Sequence, residues 1–163
     1  MPNQLTLAFA LFGVFISASS LAVPPPGEDL SFGDIRFDIL STMKVSNNTL
    51  KIVPHGLSVP DQAVSVDIDG VVVSRQVADL NQDGWPELYI ITQSDGSGSY
   101  GDVIGFSVNK GKSMSDIYLP ELKQAGYMGH DRFEVHDDHI SRTFPLYKKS
   151  DTNAAPSGGQ KTI

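Results

Sequence analysis

Residues 64–78, VSVDIDGVVVSRQVA, contain two short apolar-rich runs separated by Asp69-Gly70. In the first run apolar and polar side chains alternate, and a period of two is typical of a β-strand that buries one face. Asp69-Gly70 favours a type I′ turn, because both central positions of that turn need positive φ. The stretch therefore predicts a β-hairpin, with 64–68 as the first strand and 71–78 as the return strand.

The strand pattern continues on both sides of this hairpin. Further strands are predicted at 35–39, 50–52, 88–92, 104–108 and 133–135, with turns at Lys110-Gly111 and Asp137-Asp138. One short helix is predicted near Leu119–Ala125, because a proline is favoured at a helix start. Many short strands separated by turns predict an all-β fold. We expect an antiparallel β-sandwich with at most one short helix, and a barrel is the alternative.

The first 22 residues differ from the rest in composition. Leu5 to Ile16 is a nearly unbroken apolar run, and Ser20-Leu21-Ala22 has the small-x-small form of a signal-peptidase site. The run is too short to span a bilayer, and prolines follow at 24–26. Residues 1–22 therefore predict a cleaved signal peptide rather than a buried helix, although no Lys or Arg precedes the run. Residues 23–30 are then a linker, and residues 31–163 are the exported β-domain, with no membrane association after cleavage.

Charge and cysteine content exclude several classes of function. The net charge is −7, so the chain lacks the excess of Lys and Arg that nucleic-acid binding needs. The same charge would attract a basic protein partner, and it would equally serve solubility. The absence of cysteine excludes disulfides, thiolate catalysis and cysteine-ligated zinc. Because no pair of carboxylates stands in a catalytic context, we expect a non-enzymatic protein without a cofactor.

The glycine-rich segment 95–101, DGSGSYG, lies between two predicted strands. Its glycines match G-x-G-x-x-G, but a dinucleotide site needs a helix N-terminus where a strand pattern follows here. Neither serine stands in G-x-S-x-G, the motif of a nucleophile elbow. Two interpretations remain: a plain hairpin loop, or an interface loop whose Ser97 and Tyr100 hydroxyls donate hydrogen bonds to a partner.

The acidic segment Asp79–Glu87, DLNQDGWPE, has the D-x-N-x-D-G spacing of a calcium-binding turn. An EF-hand needs a bidentate glutamate at position 12, which is Ile90 here. The loop of integrin-type propeller repeats fits better, with Glu87 as the later acidic residue, but a propeller needs several copies. The favoured interpretation is a tight turn in which Asp and Asn bond backbone amides. A calcium-binding adhesion or carbohydrate-binding module is the alternative. The His/Asp-rich segment 130–139 lacks zinc-ligand spacing, so no metal site is predicted there.

Residues 77–108 resemble the bacterial periplasmic inhibitors of invertebrate-type (I-type) lysozyme. In that family an acidic turn similar to DLNQDGWPELYI, residues 79–90, leads into a Ser-Gly-x-Tyr loop, which is Ser97-Gly98-Ser99-Tyr100 here. The likeness continues through GYMGHDRFEV at 126–135, RTFPLY at 142–147 and PSGG at 156–159. It covers most of the chain after the signal peptide.

The resemblance implies a periplasmic β-sandwich whose loop, Ser97, Gly98, Ser99, Tyr100 and Gly101, enters the cleft of an I-type lysozyme. Lysozymes cleave glycosidic bonds with two carboxyl groups, and the Ser97 and Tyr100 hydroxyls would bond these groups without offering a sugar. Gly98 and Gly101 would keep the loop narrow. Family members continue past the Gly-Gly stretch into a final strand, whereas this sequence has only 161–163 there, so we expect an open sheet edge.

Overall fold

The computed structural model describes residues 30–41, 47–60 and 63–163. Within these ranges the chain forms eleven β-strands and no helix. The strands are β1 (Ser31–Phe32), β2 (Ile35–Ser41), β3 (Asn48–His55), β4 (Val64–Ile68), β5 (Val71–Ala78), β6 (Glu87–Gln93), β7 (Gly101–Asn109), β8 (Ser113–Ile117), β9 (Arg132–Val135), β10 (Ile140–Pro145) and β11 (Gln160–Thr162). The described residues accordingly contain no helix that could cross a membrane. The predicted signal peptide, 1–22, lies outside them.

The strands form three antiparallel sheets that do not close into a barrel. The first sheet has the order β1-β2-β3-β4, the second β5-β6-β7-β8, and the third β11-β10-β9. All neighbouring strands in these sheets run antiparallel. The prediction of an all-β antiparallel fold of the sandwich type is therefore confirmed.

The apolar faces of the first two sheets form one common core. Its fully buried members are Ile35, Phe37, Leu50, Ile52 and Ile68 from the first sheet and Leu88, Ile90, Phe106 and Val108 from the second. Most of them are the alternating residues that predicted the strands, because every second side chain of a strand lies on the same face. Each such side chain contributes about 1.5–3 kcal/mol when it is fully buried. In a chain without disulfides, this core is the main source of stability.

Strand β6 is covered on both faces. Its residues Glu87 to Thr92 are all buried, so Tyr89 and Ile91 are shielded on the side opposite the common core. Burial, with a smaller effect of the nearby Glu87 charge, raises the pKa of Tyr89 to about 12. The third sheet lies against this second face, where Phe133 of β9 leaves no room for a side chain at Gly101.

The predicted hairpin at Asp69-Gly70 is wrong, because the chain turns a corner there between two sheets. Strand β4 pairs with β3 in the first sheet, whereas β5 pairs with β6 in the second. Gly70 has φ +92, and a Cβ there would lie 2.0 Å from the carbonyl oxygen of Gln93. The buried Asn48 amide donates to the Gly70 carbonyl oxygen at 2.6 Å. Because these contacts hold Gly70 between the sheets, the chain crosses from one sheet to the other instead of folding back on itself.

The predicted helix near Leu119–Ala125 is wrong, since residues 119–124 have no regular secondary structure. The segment is mostly exposed, and Tyr118 before it is 87% exposed. A helix this short is marginal in water unless one face packs against the protein. Here the segment lacks that packing, so the proline signal does not lead to a helix.

The remaining turn predictions are confirmed, and the third sheet has a short outer strand, β11. Lys110-Gly111 joins β7 to β8, with positive φ at both residues, and Asp137-Asp138 joins β9 to β10. Strand β11 pairs with β10 from Thr143–Thr162 to Pro145–Gln160. Residues 160–162 therefore cover β10, and β11 is itself the outer strand at this edge of the third sheet.

Candidate functional site

The predicted interface loop joins β6 to β7 at one end of the second sheet. Its base is closed by a hydrogen bond from Ser94 N to Tyr100 O at 2.9 Å and by one from Tyr100 N to Ser94 Oγ at 3.1 Å. A turn inside it is closed by Ser99 N donating to Gly96 O at 3.2 Å. Ser99 has φ 42, in the left-handed region. The loop is thus a narrow tip with a defined internal backbone.

Ser97 and Tyr100 present their hydroxyl groups to solvent. Ser97 is exposed, and Tyr100 is 49% exposed. Across the described residues, neither hydroxyl bonds another protein group, whereas Ser99 Oγ donates to Gly96 O at 3.4 Å. The Tyr100 ring packs edge to face on Tyr127, with centroids 5.6 Å apart and planes at 77°. One side of the ring is therefore supported while its hydroxyl stays available.

The loop rests on the backbone of residues 129–130. His130 N donates to Gly98 O at 2.7 Å and to Ser99 O at 3.2 Å. Gly129 has φ +89, and a Cβ on it would lie 1.9 Å from Gly98 O. Only glycine leaves room for this contact. The loop tip and the segment before β9 therefore form one unit.

A second support comes from the segment after β10. The Asn153 side-chain amide donates to the carbonyl oxygen of Ser97. The carbonyl oxygen of Asn153 accepts a hydrogen bond from the Tyr147 hydroxyl at 2.9 Å, and Tyr147 is buried. A hydrogen bond to the main chain of Ser97 thus fixes the tip while leaving the Ser97 side chain exposed.

A buried ion pair fixes the residue at which the loop ends. Arg142 Nε donates to Asp131 Oδ1 at 2.8 Å, and the two side chains are 18% and 0% exposed. Asp131 Oδ2 accepts from Gly101 N at 2.7 Å and from the Tyr127 hydroxyl at 2.5 Å. Arg142 Nη2 donates to the Tyr127 hydroxyl at 2.7 Å and to Gly101 O at 3.2 Å. The pair therefore binds both main-chain groups of Gly101.

The ion pair is enclosed by aromatic rings. The Arg142 guanidinium lies 5.1 Å from the Tyr127 ring centroid, 5.2 Å from that of Phe133 and 5.9 Å from that of Phe144, distances that allow cation–π attraction. Burial and the hydrogen bond to Asp131 raise the pKa of Tyr127. Burial alone would lower the pKa of Arg142, but the bond and charge of Asp131 raise it overall. At neutral pH the cluster consists of a neutral tyrosine and a charged arginine.

The acidic turn forms a second cluster, at the start of β6. Asp79 accepts hydrogen bonds from Asp83 N at 3.0 Å and Gly84 N at 2.9 Å. Asn81 Oδ1 accepts from Asp83 N at 2.8 Å, and Asp83 Oδ1 accepts from Trp85 N at 2.8 Å. These bonds match the favoured interpretation, in which the side chains satisfy the amides of a tight turn.

Glu87 closes this turn from inside the protein. It accepts hydrogen bonds from Leu80 N and Asn81 Nδ2, both at 2.8 Å. Burial raises the pKa of Glu87; the Leu80 amide lowers it, and the charges of Asp79 and Asp83 raise it further. Oxygens of Asp79, Asp83 and Glu87 lie within 4.8 Å of one another, so a cation could be held there. Most of these oxygens already accept hydrogen bonds.

The His/Asp-rich segment forms exposed local contacts. His136 and His139 stack with centroids 4.5 Å apart. His139 Nδ1 lies 2.6 Å from Asp138 Oδ1, and His136 Nε2 lies 2.9 Å from Ser141 Oγ. Among the described residues, the acidic group of the turn at 79–87 is the one set that could hold a metal ion.

Sequence reasoning missed the supports of the loop. Tyr127, Gly129 and Asp131 all lie in GYMGHDRFEV, and Arg142 opens RTFPLY. Both segments contributed to the resemblance, but no periodicity or spacing showed that they meet the loop across 30 to 41 positions of sequence. Nothing in the sequence around Asn153 predicted that this residue contacts the loop.

Comparison with known proteins identifies no relative of this chain. No protein-family model, curated protein or solved structure matches the chain. The loop, the residues that hold it and the sequence resemblance are therefore the features that bear on function.

Proposed function

We propose that this protein is a periplasmic inhibitor of I-type lysozyme that inserts its 97–100 loop into the active-site cleft of the enzyme. The observation that carries the proposal is the combination at this loop of two exposed, unbonded hydroxyls with a backbone held from several directions. The bonds come from His130 and Asn153 at the tip and from Asp131 at the end of the loop. A plain connecting loop has no need of so many supports.

The chemistry of the target suits this loop. A glycosidase of this kind has two carboxyl groups, one acting as an acid and the other ionised. A hydroxyl donates a hydrogen bond to an ionised carboxylate and accepts one from a protonated acid. Ser97 and Tyr100 would bond the pair in either arrangement, and neither residue supplies a glycosidic bond to cleave. The protein would block the active-site cleft and would not itself catalyse a reaction.

The rigidity of the loop favours tight binding. Association costs free energy for every side chain and loop segment that must be ordered in the interface, and a preformed loop avoids much of this cost. The edge-to-face contact with Tyr127 restricts the Tyr100 ring before any partner arrives. Tyrosine has few rotatable bonds and a large ring, which makes it a frequent anchor of interfaces.

The calcium-binding module remains a second candidate, favoured by one observation. Asp79, Asp83 and Glu87 bring carboxylate oxygens within 4.8 Å of one another. Against it, Asp79 already bonds two backbone amides and Glu87 bonds two N–H groups. Calcium would have to replace these bonds. We therefore regard the turn as a support for the start of β6.

The proposal is tested by titrating the protein, without residues 1–22, into an I-type lysozyme that lyses bacterial cell walls. We expect lysis to fall to zero near equimolar ratio, and unchanged lysis at a several-fold excess would contradict the proposal. Tyr100→Phe and Ser97→Ala should each weaken inhibition by about 10- to 100-fold, because a hydrogen bond to a charged group contributes about 1.5–3 kcal/mol. Tyr118→Phe, at a tyrosine that is 87% exposed, is the matched control and should inhibit like the wild type.

A further inference from the structure

A groove of about 440 Å³ opens beside the loop. Val66 and Ile68 of β4 line it from the first sheet, and Ile104 of β7 lines it from the second. It therefore lies at the end of the sandwich where the common core gives way to solvent. Tyr100 lines the same groove, so a partner that contacts the loop tip would also lie over this opening.

The inner wall of the groove carries the hydroxyl of Thr92. Thr92 is only 4% exposed, and it lies on the same face of β6 as Leu88 and Ile90 because side chains alternate along a strand. In the part of the chain that the structure describes, the Thr92 hydroxyl bonds no other group. The hydroxyl oxygen is not fully enclosed, so it meets solvent in the open groove. A ligand in the groove would take the place of that solvent and bond the hydroxyl.

The opening of the groove is acidic. Asp102 stands directly opposite Thr92 in the pairing of β6 with β7, on the face that also carries Ile104. Asp69 lies at the corner between the sheets, and both carboxylates line the groove and are exposed. The described lining residues include no Lys, Arg or His. The groove therefore combines apolar walls, a hydroxyl that bonds no other described group, and negative charge that no cation of the described lining offsets.

We propose that the groove receives a basic side chain, arginine in preference to lysine, from the protein that the loop contacts. The aliphatic stem would cover Ile68 and Ile104, as the stems of long charged side chains do on apolar surfaces. The guanidinium would donate to Asp102, to Asp69 and to the Thr92 hydroxyl. Arginine fits better than lysine because its planar group has five donors and stacks on an aromatic ring such as Tyr100. The choice of partner rests on the proposed function.

The groove is tested first without any enzyme. N-acetyl-arginine amide is titrated into the protein, and backbone amide shifts are followed by NMR. We expect saturable shifts centred on Thr92 and Ile104 that disappear in the double variant Asp69→Asn/Asp102→Asn. Shifts should persist in the control Asp116→Asn/Glu121→Gln, which changes the net charge equally at exposed positions outside the groove. Absence of saturable shifts at these positions, or equal shifts in both double variants, would overturn the inference.

The second experiment measures the affinity for I-type lysozyme over a range of salt concentrations. We expect Asp69→Asn/Asp102→Asn to weaken binding by about tenfold or more and to reduce its salt dependence, because the lost charges act at short range on a basic group. The control double variant should bind like the wild type. Equal affinity of both double variants would overturn the groove contact while leaving the loop proposal intact. If the wild type does not bind lysozyme, the proposed function fails, and the arginine titration still decides whether the groove accepts a basic side chain.

Discussion

Replacing Asp131 by alanine tests whether the buried ion pair under the loop stabilises the protein. Asp131 accepts three hydrogen bonds, from Arg142 Nε, Gly101 N and the Tyr127 hydroxyl. The variant Asp131→Ala removes all three acceptor contacts at once. It leaves Arg142, whose side chain is 18% exposed, as a charged group largely shielded from water. We expect a large loss of stability, since the arginine cannot be neutralised.

The magnitude follows from the burial of the two partners. Breaking a buried ion pair by removing one member costs about 3–5 kcal/mol, because an uncompensated charge remains. The partial exposure of Arg142 places the expected loss near the lower end, at about 3 kcal/mol. The matched control is Asp38→Ala, which removes an aspartate that contacts Arg36 and His55. Those side chains are 43–59% exposed, and such surface pairs contribute about 0–1 kcal/mol.

Urea unfolding measured by the fluorescence of the single tryptophan, Trp85, provides the assay. For an m-value of about 1–3 kcal/mol/M, a loss of this size lowers the unfolding midpoint by about 1–3 M. The double variant Asp131→Ala/Arg142→Met should recover part of the loss, since it leaves no unpaired charge. Equal midpoint shifts for Asp131→Ala and Asp38→Ala would show that the buried ion pair contributes no more to stability than a surface pair.

Three further predictions concern the turn and the loop. Because burial and nearby carboxylates raise the pKa of Glu87, the native state binds its proton more tightly than the unfolded chain. The free energy of unfolding should therefore fall as pH rises from about 4.5. In the variant Glu87→Gln, urea unfolding measured at several pH values should no longer show this fall. An unchanged pH dependence in the variant would show that Glu87 is not its source. Gly129→Ala should displace Gly98 and weaken inhibition in the lysis assay, and it should do so more than a glycine-to-alanine change at an exposed loop position. Wild-type inhibition by the variant would contradict the close contact between Gly129 and Gly98. Millimolar calcium should leave the melting temperature unchanged, because Asp79 already bonds backbone amides; a rise would favour the calcium-binding alternative.

The strands of this fold were largely predictable, because burial of one face makes apolar and polar side chains alternate along a strand. Phe37 and Ile52 are buried where alternation predicted them, and Lys110-Gly111 forms the turn that its positive φ angles allow. The corner at Gly70 was not predictable from its neighbours, because a hairpin and a crossing between sheets use the same residue types. The difference lies in Asn48 and Gln93, which reach Gly70 from 22 and 23 positions away in the chain.

In the candidate site too, the local sequence predicted the loop, whereas contacts between residues distant in sequence determine its shape. The composition of 95–101 predicted a glycine-rich, hydroxyl-bearing loop between two strands, and the structure has such a loop between β6 and β7. Its fixed shape depends on Asp131 and Arg142, whose pairing joins segments that are separate in sequence. The groove beside it forms only when β4 and β7 belong to facing sheets. The mistaken hairpin, in which β4 and β5 paired, therefore gave no indication of the groove.

Insertion of the loop into the active-site cleft is tested by a competition between this protein and a cleft-filling oligosaccharide for I-type lysozyme. The affinity of the wild-type protein is measured by calorimetry at increasing concentrations of a non-hydrolysable peptidoglycan fragment. If the loop carrying Ser97 and Tyr100 occupies the active-site cleft, the apparent Kd rises in proportion to the fragment concentration. An apparent Kd that does not depend on the fragment would contradict insertion into the cleft, and the absence of any binding would contradict the proposed function.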